Sequence, residues 1–273
     1  MIIKTLVENT SISEEFKNEH GLSLYIKTKN YQLLFDVGKS NLFIENANKL
    51  GIDLSEIDAV IISHGHYDHG GGLRNFLRIN KKAKIYLNEK VIGDYYSNRG
   101  NEKVYIGLDK GIFPNDRFVF VRDYYKINDS LELFSDVKEK YFTPINNKKL
   151  FKKDGPNYIQ DDFSHEQNLL ITEDDKNVLI AGCAHKGILN VIEDVSSKKS
   201  NIPNYVISGF HLYNRSTKIS EDITKVKQIA NYLIETKSKY YTCHCTGLEA
   251  YEQLKDEMGD KIEYLSTGSE VIL

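Results

Sequence analysis

Residues 61–73 read IISHGHYDHGGGL: three histidines, one aspartate and four glycines in thirteen positions. They continue the apolar run IDAVII, residues 57–62. That run reads as a short strand buried on both faces. In extended backbone, positions i and i+2 face the same way. His64 and His66 can therefore reach one cation. Asp68 and His69 follow where the chain turns toward a helix, and can face a second cation nearby. Gly70, Gly71 and Gly72 allow a tight turn and a close backbone approach. Imidazole nitrogen and carboxylate oxygen are both ligands for borderline metals such as Zn²⁺. The plain alternative is a solvated loop with chance histidines, which this spacing disfavours.

Outward from this cluster, the first forty residues predict strands. IIKTLVE, LSLYIKT and YQLLFDVG are rich in β-branched and aromatic residues and are separated by polar turns. SNLFIENANKLGI has apolar residues near helical spacing and stops at Gly51. GGLRNFLRIN predicts a helix entered through glycines, and AKIYLNE another strand. Residues 93–165 are less regular, hold a Lys-rich patch (NNKKLFKKDG), and predict irregular strands and a long loop beside the site. NLLITEDDKNVLIAGCAH then predicts a hairpin with an acidic turn. Helix and strand patterns alternate after it, and IEYLSTGSEVIL reads as one last strand. No repeat or low-complexity linker divides the chain. The expectation is one domain over 1–273, with an irregular insertion or lid at about 93–165. Its two halves are expected at 1 to about 180 and about 181 to 273.

The chain has 273 residues, 40% apolar and 11% aromatic, enough for a sizeable core. A formal net charge of −3 gives no global basic field for a nucleic-acid or membrane surface. No stretch approaches the roughly 18–20 apolar residues of a membrane span, and the N-terminus lacks the pattern of a signal peptide. Three cysteines, Cys183, Cys243 and Cys245, make a poor disulfide framework. A soluble cytoplasmic chain is expected, acting on a small molecule; its oligomeric state is left open.

His-x-His-x-Asp-His after an apolar strand resembles the signature of the metallo-β-lactamase superfamily, and the upstream LLFDVG fits it. The resemblance is similar in detail to a subgroup of metal-dependent hydrolases related to archaeal dihydropterin synthases of methanopterin biosynthesis. EHGLSLYI, HGHYDHGGGL, SHEQNLLI, GCAHKGILN, SGFHL and CHCTG carry that closer likeness. It implies an α/β fold of αββα type: two mixed sheets face to face with helices outside.

The resemblance also implies a two-metal site completed from later strands. His165, in DFSHEQNLL, stands where a third His ligand is expected. Gly182-Cys183 replaces the usual Gly-Asp. Either Cys183 binds or bridges the metals, or His185 takes over two residues later. His244, in YYTCHCTG, matches the final ligand. Cys243 and Cys245 flank it and read as packing. The implied metal set is His64, His66, Asp68, His69, His165, Cys183 and His244. Asp68, His185 and His211 are the catalytic candidates. His211 enters as substrate contact, proton donor or extra ligand. His20 reads as a buried hydrogen-bonding residue, and Asp36 as an acceptor for a ligand histidine's N–H.

Two divalent ions, zinc first with iron or manganese as alternatives, would lower the pKa of a shared water from about 15.7 toward 7. The implied enzyme hydrolyses a small phosphorylated or ester substrate. A pterin-related transferase, in which the metals activate a diphosphate leaving group, is the second reading. A nuclease is the third, weakened by the acidic balance and the missing aromatic–basic stripe. A di-iron oxidoreductase would need a flavin domain that this length cannot hold. An open site with so full a ligand set suits catalysis better than a purely structural metal. The Lys-rich patch is either a phosphate contact or a solvated loop.

Overall fold

The computed structural model describes residues 1–199 and 202–273. The strand behind the histidine run, Ala59–Ile61, is buried at every residue. It lies third from one edge of a seven-stranded sheet, between layers on both faces. The order is Glu270–Ile272, Ile2–Val7, Ser23–Lys27, Gln32–Phe35, Ala59–Ile61, Lys84–Asn88, Phe118–Val121. The last four strands pair in parallel and the rest antiparallel. A second seven-stranded sheet repeats the scheme: Ile262–Tyr264, Lys239–Thr242, Tyr205–Ser208, Lys176–Ile180, Asn168–Glu173, Leu131–Phe134, Tyr124–Asn128. Its first four strands are parallel and the others antiparallel.

Neighbouring residues on these strands enter different cores, as the two-residue strand period requires. Leu33, Ile61, Leu169, Ile180 and Ile207 meet between the two sheets. Leu34 and Val60 face outward onto Phe43 and Phe76 of the helices Leu42–Lys49 and Leu73–Ile79. Leu179 and Val206 face outward onto Ile192, Ile229 and Leu254 of the helices Ile188–Lys199, Ile223–Glu235 and Leu248–Met258. The layers are helix, sheet, sheet, helix: the αββα sandwich expected from the sequence.

Local signals hold where they were strong. The hairpin turns on Asp174 and Asp175, both at positive φ (51° and 59°), the backbone of a tight two-residue turn. Gly51 ends its helix at φ 69°. Three expectations need correction. The sandwich does not divide near residue 180, because Tyr124–Asn128 and Leu131–Phe134 already belong to the second sheet. The final stretch is two strands, not one. Ile262–Tyr264 joins the second sheet and Glu270–Ile272 crosses to the first. Gly268, at φ 93°, lies between them. Residues 93–165 are also more regular than expected. Tyr95–Arg99, Glu102–Tyr105, Leu150–Asp154 and Asn157–Gln160 form a separate four-stranded sheet. Among the described residues, no helix is long and apolar enough to cross a membrane.

Candidate metal centre

The site forms where strands of both sheets end and the chain turns sharply. Asp36 follows Gln32–Phe35, Ala184 follows Lys176–Ile180, His211 follows Tyr205–Ser208, and His244 follows Lys239–Thr242. All four are non-glycine residues at positive φ (59°, 49°, 51° and 52°). Such backbone costs energy and concentrates at functional sites. Here it swings side chains onto a common rim. His64 and His66, just past Ala59–Ile61, have ring centroids 4.5 Å apart. His64 lies 4.1 Å from His69, 4.9 Å from His185 and 5.9 Å from His165. His69 and His244 are 5.0 Å apart. The expected residues do converge.

Four of the histidines share one arrangement: a partner holds Nδ1, and Nε2 faces inward. His69 Nδ1–H donates to Asp36 Oδ2 (2.6 Å). His64 Nδ1–H donates to Ser63 Oγ (2.8 Å), whose own O–H donates to Asp36 Oδ2 (2.7 Å). His185 Nδ1–H donates to Asn147 Oδ1 (3.0 Å), and His244 Nδ1–H to Asn9 Oδ1 (3.0 Å). The Nε2 atoms of His64, His66, His185 and His244 are buried without any hydrogen-bond partner. Orphaned buried nitrogens are costly unless something binds them. Fixing the far nitrogen while freeing the near one is how proteins orient metal-binding imidazoles.

Cys183 Sγ sits at the centre of the array, 3.2 Å from His69 Nε2. Donor atoms within 4.8 Å of one another group it with His64 and His185, with His69 and His244, and with His211 and Cys245. Asp68 accepts a hydrogen bond from His20 Nε2 (3.1 Å) and lies 3.5 Å from His244 Nε2. His165 is different. Gly65 N–H donates to its Nδ1 (3.0 Å), so the ring proton lies on Nε2 and donates to Asp161 Oδ2 (3.1 Å). Both nitrogens are engaged, and His165 directs no lone pair inward. The bare nitrogen expected of it belongs to His185.

Burial, reinforced by neighbouring rings, pushes His64 and His185 well below the usual histidine range and His66 down to about 3. Their neutral rings keep a lone pair to give. Burial acts the same way on His69, but Asp36 and Asp68 outweigh it and hold the ring up at about 9. Burial alone would raise Asp68; the charges of His69 and His20 hold it well below the usual carboxylate range. Burial lifts Glu166 to about 7 against the backbone N–H groups of His185 and Lys186.

The cluster opens into a cleft of about 770 Å³ lined in part by Lys39, Arg99, Lys149 and Arg215. Of the Lys-rich patch, Lys149 reaches this cleft while Lys152 pairs with Asp162. Several supporting residues were missed from the sequence. Glu8 is fully buried; Oε1 accepts from His244 N–H (2.7 Å) and Tyr264 O–H (2.7 Å). Glu166 accepts from His185 N–H (2.7 Å). Their signal was a carboxylate set against apolar strand residues, in TLVE and HEQNLL. Asn9, Asn147 and Asp161 carry no such signal. Cys245, read as packing, lines the cleft, whereas Cys243 is packed in the core between the sheets.

Comparison with known proteins agrees with the fold. The family described as the metallo-β-lactamase superfamily matches residues 18–137. The protein MJ0448 of Methanocaldococcus jannaschii is 30% identical over 93% of each chain. A second protein of that organism, a 7,8-dihydropterin-6-methyl-4-(β-D-ribofuranosyl)-aminobenzene-5′-phosphate synthase, is 26% identical over 97% of this chain and 94% of its own. A crystal structure described as a metal-dependent hydrolase of the β-lactamase superfamily superposes with a TM-score of 0.84 at 30% identity, covering 100% and 99% of the two chains. With the sandwich, the strand-end cluster and relatives matched along nearly its whole length, the chain belongs to the metallo-β-lactamase superfamily.

Proposed function

We propose that the protein is a metal-dependent hydrolase of a small phosphorylated or ester substrate, working through two divalent cations, zinc first. The observation that carries this is the set of four buried, partnerless Nε2 atoms on His64, His66, His185 and His244, three of these residues being grouped with the Cys183 sulfur. His64, His66, His185 and Cys183 would hold one ion. Asp68, His69, His244 and the same Cys183 would hold the other. A thiolate suits zinc or iron and disfavours Mg²⁺ and Ca²⁺. His165, whose nitrogens are taken by Gly65 and Asp161, is left out of both sets, although it groups with His66 and Asp161.

Ions bound there would acidify a shared water and neutralise charge developing on a phosphoryl or acyl oxygen. The chain supplies the rest. Asp68, steadied by His20, orients the attacking water and accepts its proton. Lys39, Arg99, Lys149 and Arg215 attract an anionic group into the cleft. His211, its ring 4.2 Å from His185, forms the wall beside the first ion's position.

The test is removal of metal with a chelator, reloading with Zn²⁺, Fe²⁺ or Mn²⁺, and a screen of phosphate monoesters, diesters, carboxylic esters and lactones. Metal-dependent turnover that is lost in His64→Ala is expected. Equal turnover in stripped and reloaded protein, or none in any fully loaded form, would reject the reading. The named synthase among the relatives supports a second one, a pterin-related transferase with a diphosphate leaving group. Diphosphate release that requires an arylamine acceptor would select it.

A further inference from the structure

The last strand of the parallel set ends in an unusual way. Cys243 is extended (φ −165°) and packs in the inter-sheet core. His244 then takes φ 52°, and Cys245 turns out onto the cleft wall. Its sulfur is held there from two sides. The backbone N–H of His211 donates to Cys245 Sγ (3.3 Å). Gly209 leaves the space it occupies: a Cβ at that position would lie 2.6 Å from Cys245 Sγ. Cys245 Sγ, Cys183 Sγ and a ring nitrogen of His211 lie within 4.8 Å of one another. His211 Nδ1 is a buried atom with no hydrogen-bond partner. The two-ion hydrolase needs neither Cys245 nor a His211 lone pair.

We propose that Cys183, Cys245 and His211 form a third cation position, for a thiophilic divalent ion such as Zn²⁺. A thiolate sulfur carries several lone pairs, so Cys183 can serve this position and the pair beside it. Two sulfurs and one imidazole are a ligand set that zinc accepts while keeping a fourth position open. All three residues line the cleft, so that position faces substrate. The softness of the set selects zinc, cobalt or iron over magnesium and calcium.

The experiment uses the full chain, stripped of metal, reduced with a phosphine and reloaded with Co²⁺. Bound metal is counted by mass spectrometry, and thiolate ligation is read from the sulfur-to-cobalt charge-transfer absorption. Cys245→Ser and His211→Gln should each hold one equivalent less than the parent, and Cys245→Ser should lose about half of the charge-transfer band, one of two ligating sulfurs having gone. Cys243→Ser should change neither. His211 is only half-buried, so its variant reports even if a cysteine variant misfolds. Equal metal content and equal absorption in all four proteins would overturn the proposal. So would a Cys183–Cys245 disulfide that persists in the reduced protein. The count does not depend on finding a substrate, so it stands or falls apart from the hydrolase reading.

Discussion

Asp36→Asn strikes one half of the metal centre directly and the other only through Ser63. The Asp36 carboxylate is fully buried and accepts three hydrogen bonds: Ser63 N–H and Ser63 O–H at 2.7 Å and His69 Nδ1–H at 2.6 Å. Asparagine tolerates the left-handed backbone at this position (φ 59°), so strain does not confound the result. Its amide oxygen can keep Ser63 N–H. Its NH₂ then faces His69 Nδ1, which must accept instead of donate. The ring proton moves to Nε2 and points at Cys183 Sγ, 3.2 Å away. His69 no longer offers a lone pair to the metal. Loss of such an orienting partner weakens binding by about 10–100-fold, or about 1.4–2.7 kcal/mol. The lost charge-assisted bond should also lower the stability of the metal-free fold by about 1.5–3 kcal/mol. Competitive titration against a chromophoric zinc chelator reads the affinities separately. The position of Asp68, His69 and His244 should weaken most, because His64 feels the change only indirectly, through Ser63 Oγ. Unchanged affinity at both positions, or equal weakening of both, would refute the argument.

Other outcomes follow from the same contacts. His185→Ala should release bound metal, because it removes a bare Nε2, whereas His165→Ala should mainly loosen the Gly65 loop; elemental analysis of the two variants checks the order. Glu8→Ala leaves the buried N–H of His244 and the Tyr264 hydroxyl without their acceptor, and should cost about 2–4 kcal/mol in chemical unfolding. Metal-free protein should lose stability as pH falls below about 6.5. There the unfolded chain protonates histidines that the fold keeps neutral, His66 down to about 3, a slope of about 1.4 kcal/mol per pH unit for that one group. The raised His69 acts oppositely: its contribution is complete below about 6.5 and is lost as pH rises through about 9. Urea midpoints at pH 5, 6.5 and 9 should therefore peak at the middle value.

The histidine run was legible because its chemistry is local: His64, His66, Asp68 and His69 occupy one strand end and one turn. The hairpin at Asp174 and Asp175 was legible for the same reason. What escaped depends on distant partners. Glu8 meets His244 across 236 positions and Asn147 meets His185 across 38, and no local pattern marks either pairing. Cys245 was misread because strand alternation was extended past Thr242, where the strand ends and the chain enters a short turn. The ligand role expected of His165 came from the resemblance; the contact of Gly65 N–H with its Nδ1, across 100 positions, has no local signal. The boundary near residue 180 failed because Leu131–Phe134 joins the second sheet by pairing with Asn168–Glu173, a long-range contact.

The most direct test of the centre is an anomalous-difference map at the zinc edge, from crystals of the zinc-loaded protein. Two peaks should share Cys183 Sγ at about 2.3 Å, apart from the third position proposed at Cys245 and His211. One should also bind Nε2 of His64, His66 and His185, and the other Asp68, His69 and His244. A map with no peak within bonding distance of Cys183, or with zinc bound through His165 in place of His185, would contradict it.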